Sequence, residues 1–329
     1  MRAGLPKLAL LVSLVLVAAL LKVTDANPAV AQTQAIGAWQ VSEEPGMNGF
    51  APEWQSIVPV FLPTTSQQVT PPMGGGTIER VAIRAVHWED RLYVMMEWPD
   101  RTEDTRSDRA EAFTDAAAVQ FPAEAGSEVP AVCMGQADRA VNIWQWRADT
   151  QSAPPGLPAD GYVDSYQFTD DLYFPARAAG NPLAQEGRTG AHNLLAGGFG
   201  TLEATDHGGL EGHGEYSDGR WTVVLSRQFQ AAGDLQPDFD GSVPVDVAIA
   251  IWDGSQGERD GIKSVSAFTQ LNITPEDPPR RAVSATDDWP AYTLTNPMLT
   301  VASVVLFVIL LGLVGAWVYW NRAQRSSDG

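Results

Sequence analysis

From about residue 32 to residue 272 the apolar residues fall in short runs or in strict alternation, and helical spacing is scarce. Arg84 to Trp88 and Leu92 to Trp98 are two such runs. Glu89-Asp90-Arg91 lies between them, so the pair predicts a β-hairpin. Leu92, Val94, Met96 and Trp98 share one face of the second strand. Val119 to Phe121, Val141 to Trp146, Trp221 to Leu225 and Val245 to Trp252 predict further strands. Ser217-Asp218-Gly219 supplies a turn ahead of Trp221, and Asp253-Gly254 ends the Val245 strand. Apart from Asp246, Val245 to Trp252 is apolar on both faces, which predicts a central strand. Many short strands spaced by turn residues predict an all-β fold, a β-sandwich. The stretch from Ala148 to Gly214 carries Pro154-Pro155 and several glycine pairs. It predicts long loops over one end of the sandwich, where sites are commonly built.

The two ends depart from this pattern. Arg2 and Lys7 precede an apolar run from Leu8 to Leu21, and Ala29-Val30-Ala31 offers a small-x-small cleavage site before Gln32. Residues 1–31 therefore read as a secretory signal, and both cleavage and retention as an anchor are compatible with it. From Met298 to Trp320 there is no charged residue, about the ~20 residues that a helix needs to cross a bilayer. Trp317, Tyr319 and Trp320 form an aromatic belt, and Arg322 and Arg325 follow, which orients the tail inward. The expected organisation is a signal (1–31), an exported β-sandwich (32–272), a Pro/Asp-rich stalk (273–297), a transmembrane helix (298–320) and a cytoplasmic tail (321–329). The folded domain would then sit in the periplasm or on another extracytoplasmic face of the membrane.

Composition narrows the function. The formal net charge is −19 and the pI about 4.4, which excludes nucleic acid as a partner and leaves no basic patch for anionic lipid. A single cysteine, Cys133, rules out an internal disulfide. There is no Cys-x-x-Cys-His for covalent haem and no cysteine cluster for an iron–sulfur centre. Gly-x-Ser-x-Gly, Walker and His-Glu-x-x-His motifs are absent as well. His207 and His213 share a glycine-rich loop whose spacing matches no standard metal site. The chain has three lysines, Lys7, Lys22 and Lys263, so a mature chain would keep only Lys263. That fits an arginine-biased genome, and it equally fits a position that requires a primary amine.

Two segments stand out. Cys133 to Trp146 places Met134 just before a turn and a strand bearing Trp144 and Trp146 on one face. Ile251 to Ser266 leads from Trp252 through a glycine-rich loop to Lys263 and another short strand. Taken singly, Met134 reads as a core residue and Lys263 as a surface one.

Together with Trp98-Pro99-Asp100, Asp115 to Pro122, Gly198 to Leu202 and Asp218 to Val224, these segments resemble the haem-b-binding gamma subunit of ethylbenzene dehydrogenase. The resemblance extends to its relatives in dimethylsulfide dehydrogenase, selenate and chlorate reductases, and nitrite- or nitrate-converting complexes. It runs from about Ile78 to Leu271 and rests on the order and spacing of the motifs. It implies one non-covalent haem b whose iron is held by a methionine and a lysine, which carry over to Met134 and Lys263. Trp144, Trp146 and Trp252 are then expected walls of the haem slot.

The resemblance further implies a non-catalytic, electron-carrying subunit. Its partners would be a beta subunit with iron–sulfur clusters and an alpha subunit with the molybdenum cofactor. A soluble cytochrome or membrane carrier would take or give the electrons. The chain departs from the ethylbenzene enzyme in its export signal and C-terminal span. Chemically, a thioether favours ferrous iron. An amine coordinates only when its lone pair is free, whereas a lysine in water stays protonated up to pH ~10. Two other functions fit the residues alone: a membrane-anchored carbohydrate-binding sandwich using its tryptophans, and a stand-alone DOMON-type b cytochrome in which His87 replaces Lys263.

Overall fold

The computed structural model describes residues 35–107, 111–124, 126–132, 134–152, 190–205 and 208–281. The expected signal, the transmembrane helix, the tail, most of the stalk, Cys133 and His207 lie outside them. Among the described residues no helix is long and apolar enough to cross a membrane.

Among the described residues there are thirteen strands: β1 (Ile36–Gln40), β2 (Val60–Ser66), β3 (Arg80–Trp88), β4 (Arg91–Pro99), β5 (Ala116–Pro122), β6 (Val141–Arg147), β7 (Ala191–Ala196), β8 (Glu203–Ala204), β9 (Glu211–Ser217), β10 (Arg220–Gln228), β11 (Val245–Trp252), β12 (Ser264–Ser266) and β13 (Thr269–Thr274). Two short α-helices, α1 (Pro52–Gln55) and α2 (Ala148–Ser152), and a 3-10 turn at Gly254–Gln256 accompany them. The strands run β8-β7-β6-β5-β11-β12-β2-β3-β4-β10-β9. A second connection from β3 to β11 passes through β1 and β13, with β1 parallel to both β3 and β13. The ladder folds back on itself into two layers, because Trp146 of β6 packs edge-on against Trp221 of β10 with centroids 4.9 Å apart. The expected all-β class is observed among the described residues, and the expected C-terminal helix lies outside them.

The predicted hairpin is β3–β4, with Trp88 paired to Arg91 across Glu89-Asp90. The turn before Trp221 joins β9 to β10 through Asp218 and Gly219, both at positive φ (51° and 73°), as a two-residue hairpin requires. β11 has the predicted bounds and is central, flanked by β5 on one edge and by β13 and β12 on the other.

Alternation along each strand sets what is buried where. Leu92, Val94, Met96 and Trp98 of β4 face the inter-sheet core together with Ala117, Val119 and Phe121 of β5 and Ile249 and Ile251 of β11. The opposite face of β3 and β4 is covered by the segment around α1, where Trp54 and Ile57 pack on Val86, Tyr93 and Met95. Buried on that face is the ion pair of Arg84 with Glu97, at 2.8 Å.

Three observations bear on the expectations. Of the stretch from Ala148 to Gly214, read as loops, residues 153–189, 206 and 207 lie outside the described residues, and the rest contributes α2, strands β7 and β8, and most of β9. The boundary expected at residue 272 falls inside β13, and packing continues beyond it: Val58 N donates to Pro279 O at 2.8 Å. Trp144 and Trp146 lie in the inter-sheet core. Being even-numbered on β6, they point away from the face that carries Ile143, Gln145 and Arg147.

Candidate functional site

The outer face of the second layer is the floor of a cavity of about 900 Å³, near the upper end of the range usual for small-molecule and cofactor sites. Ala116 and Ala118 of β5, Ile143 of β6, Leu194 of β7 and Ala250 of β11 make this floor. Alanines on adjacent strands leave a broad, shallow apolar surface on which a flat ligand can lie. Two loops rise at the sides and bring Met134 and Lys263 to the lining of the same cavity, together with Trp252. Three of the five residues singled out from the sequence therefore meet here, and Trp144 and Trp146 do not. Trp144 instead packs edge-on against Phe121 and Phe239, under the guanidinium of Arg227.

Met134 is held in an unusual backbone conformation, with φ +82° followed by Gly135 at +67°. A non-glycine residue at positive φ costs about 1–3 kcal/mol and tends to mark a functional constraint. The surroundings impose it. Met134 N donates to Gln120 Oε1 at 3.2 Å, and Met134 O accepts from Gly198 N at 2.8 Å. A Cβ on Gly135 would lie 2.6 Å from Arg139 O, so the turn closes only with glycine. The other end of the Gln120 amide, Nε2, is buried without a partner, and Gln120 itself lines the cavity.

Lys263 is fixed by its backbone. Its N donates to Gly74 O and its O accepts from Gln67 N, both at 3.1 Å. Gly75, at φ +81°, lies so close that an added Cβ would sit 2.3 Å from Lys263 N. The Gln67 amide donates to Thr70 O at 2.6 Å and to Gly261 O at 3.0 Å, joining the two loops. Glu258 accepts from Thr77 N at 3.1 Å and from Asp253 N at 3.1 Å, which closes the base of the lysine loop. Burial raises the Glu258 carboxyl above the usual range. The Lys263 side chain is 8% exposed, and its Nζ stands 4.9 Å from the Trp252 ring centroid. Trp252 is fixed in turn by donating to Asp260 O at 3.1 Å.

Sequence reasoning missed Gln67, Gln120, Glu258 and the Gly74-Gly75-Gly76 run. The glycine run was a visible signal; the others were indistinguishable from surface residues. His87 lies elsewhere, on β3, with Nε2 2.9 Å from Thr274 O and its ring near Phe229. His213 faces Glu215 at 3.4 Å.

The donor set suits the porphyrin that the resemblance implies. A soft thioether and a primary amine reach one cavity over an apolar floor.

Residues 51–264 match the ethylbenzene dehydrogenase family. A protein of Haloferax mediterranei assigned as a respiratory nitrate reductase haem subunit is 31% identical over 70% of this chain and 70% of its own length. The gamma subunit of chlorate reductase from Ideonella dechloratans is 30% identical over 59% of this chain and 64% of its own. The gamma subunit of dimethylsulfide dehydrogenase from Rhodovulum sulfidophilum is 28% identical over 60% of this chain and 62% of its own. Among solved structures, a family 9 carbohydrate-binding module from Caldicellulosiruptor kristjanssonii aligns with 77% of this chain and 99% of its own, at 8% identity and a TM-score of 0.39.

Proposed function

The chain belongs to the ethylbenzene dehydrogenase family, and on that premise we propose that it is the electron-transfer gamma subunit of a molybdenum oxidoreductase complex, binding one haem b between Met134 and Lys263. The observation that carries this reading is the convergence of those two side chains on one apolar-floored cavity. A haem held by Met134 and Lys263 would supply one-electron transfer.

The chain's own residues have separable tasks. Gln120 and the Met134-Gly135 turn aim the thioether. Gly75, Gln67 and Glu258 hold the loop from which Lys263 reaches the cavity. Lys263 would have to bind as the neutral amine, and Trp252 stands beside it on the cavity lining. Ala116, Ala118 and Ala250 keep the floor low and exclude water. Phe199 and Leu202, 61% and 47% exposed, line the mouth of the cavity, where a docked partner would approach.

In this reading the partners are a beta subunit with iron–sulfur clusters, an alpha subunit with the molybdenum cofactor, and a soluble cytochrome or membrane carrier. The expected export signal and C-terminal span would tether the complex to the extracytoplasmic face of the membrane. Nitrite or nitrate, chlorate, selenate, dimethylsulfide and hydrocarbons are the candidate substrates of the complex.

The carbohydrate reading is weakened, because Trp54, Trp98, Trp144, Trp146 and Trp221 are buried in the core and Trp39 and Trp88 are half-buried. The Met/His cytochrome reading loses its ligand pair, because His87 bonds to Thr274 O and does not line the cavity. The test is haem reconstitution of the full chain, followed by absorption. A low-spin Soret spectrum is expected, lost in Lys263→Ala and kept in His87→Ala. The opposite result, or no Soret band at all, overturns the proposal.

A further inference from the structure

Three motif residues given no chemistry by the sequence, Asp100, Asp115 and Asp253, meet at one end of the sandwich. Each has a carboxylate oxygen within 4.8 Å of the other two, and all three residues are buried. Asp100 follows β4 in the first layer, whereas Asp115 precedes β5 and Asp253 follows β11 in the second. The cluster therefore ties the two layers together at the point where the lysine loop begins.

Most of the oxygens have protein donors. Asp115 Oδ2 accepts from Asp104 N at 2.8 Å and Trp221 Nε1 at 2.9 Å, and its Oδ1 accepts from Gly254 N at 2.9 Å. Asp253 Oδ1 accepts from Ser255 Oγ at 2.7 Å and from Gln256 N at 3.2 Å. Asp100 Oδ1 accepts from Thr102 N at 3.1 Å. Asp100 Oδ2 is the exception. It is buried with no hydrogen-bond partner, on a residue only 4% exposed. Among the described residues no Arg, Lys or His forms an ion pair with any of the three.

A buried carboxylate oxygen beside two other carboxyls, with no cation, needs a positive partner or a proton. The donor set is all oxygen, which selects a hard cation. Oxygens up to 4.8 Å apart fit around one ion at ~2.3–2.6 Å, whereas magnesium at ~2.0–2.1 Å needs a tighter cage. We propose that Asp100, Asp115 and Asp253 bind one calcium ion, which clamps the two layers and anchors the base of the loop carrying Lys263. Main-chain carbonyls and water would complete the coordination.

The proposal does not depend on haem, and its test reads metal and stability alone. The full chain, purified in calcium, is assayed for bound metal, stripped with a chelator, then titrated with Ca²⁺, with Mg²⁺, and with Tb³⁺ under tryptophan excitation. Trp221, bonded to Asp115, is the expected sensitiser. One calcium per chain is expected, with Tm raised by roughly 5–10 °C at ~100-fold excess over Kd. Asp100→Asn and Asp253→Asn should each abolish the shift and the terbium signal. If either variant fails to fold, the wild-type metal content and chelator sensitivity decide alone. A wild-type Tm indifferent to calcium and chelator, or an equal response to magnesium, overturns the site. So does a calcium response that survives in both variants. A chelator-insensitive Tm that rises in Asp100→Asn would mean a shared proton in place of the ion.

Discussion

Nζ of Lys263 stands 4.9 Å from the centroid of the Trp252 ring, and both side chains are buried on one cavity. In the haem-free chain this is a cation–π contact, worth about 0.5–2 kcal/mol. Ligation needs the same nitrogen uncharged and turned to the metal, so the ring acts as a resting place for the amine. Replacing Trp252 with leucine removes the ring face and the bond to Asp260 O. Urea unfolding of the haem-free chain should show a loss of about 2–4 kcal/mol. A loss below ~0.5 kcal/mol would mean that the contact does not hold the loop.

Gln120 presents its carbonyl oxygen to Met134 N and thereby sets the strained turn. Gln120→Leu should leave the fold intact but loosen the thioether, visible as a weakened thioether-to-iron charge-transfer band and faster haem loss. Gln120→Glu keeps the acceptor and should restore the band. Equal spectra in the leucine and glutamate variants would remove Gln120 from the positioning role.

The Arg84–Glu97 pair is 1% and 2% exposed, and Glu97 also receives Arg220 at 3.1 Å. Burial lowers the Arg84 pKa even with Glu97 beside it. Glu97→Gln leaves a buried guanidinium without its counter-charge and should cost about 3–5 kcal/mol in urea unfolding. Arg84→Met with Glu97→Leu should recover most of that loss, since a packed apolar pair has no charge to desolvate.

Asp246 is the one charged residue of β11, and burial raises its carboxyl. The folded state thus keeps the proton to higher pH than the unfolded chain does. Its contribution to stability is fully present below ~3.9 and is lost as pH rises through the folded value. Asp246→Asn should therefore be more stable than wild type at pH 7, with the gap narrowing in melts toward pH 4. A gap that widens on acidification would reverse the sign.

Period-two alternation was readable wherever a strand was long and mostly apolar. It gave β4, β10 and β11 and the turns between β3 and β4 and between β9 and β10. β2 was illegible because Pro63 interrupts it, and β7 and β9 because His192, His213 and several glycines dilute the pattern. The same alternation put Trp144 and Trp146 on one face of β6, but it does not say which face meets the core. Ile143, Gln145 and Arg147 look like a solvent face, and in the structure they line a cavity. The meeting of Met134 with Lys263 depends on loops closed by Gln67, Gln120 and Gly75. Such long-range closure leaves no local trace, and only the family resemblance pointed to the pair.

The central claim is that a thioether and a neutral amine close the two faces of one haem. Near-infrared magnetic circular dichroism of the reconstituted ferric full chain reads that axial pair directly. The account predicts a low-spin methionine–amine band, which disappears in Lys263→Ala and in Met134→Ala. A histidine-ligated or high-spin spectrum in the wild-type chain would contradict it.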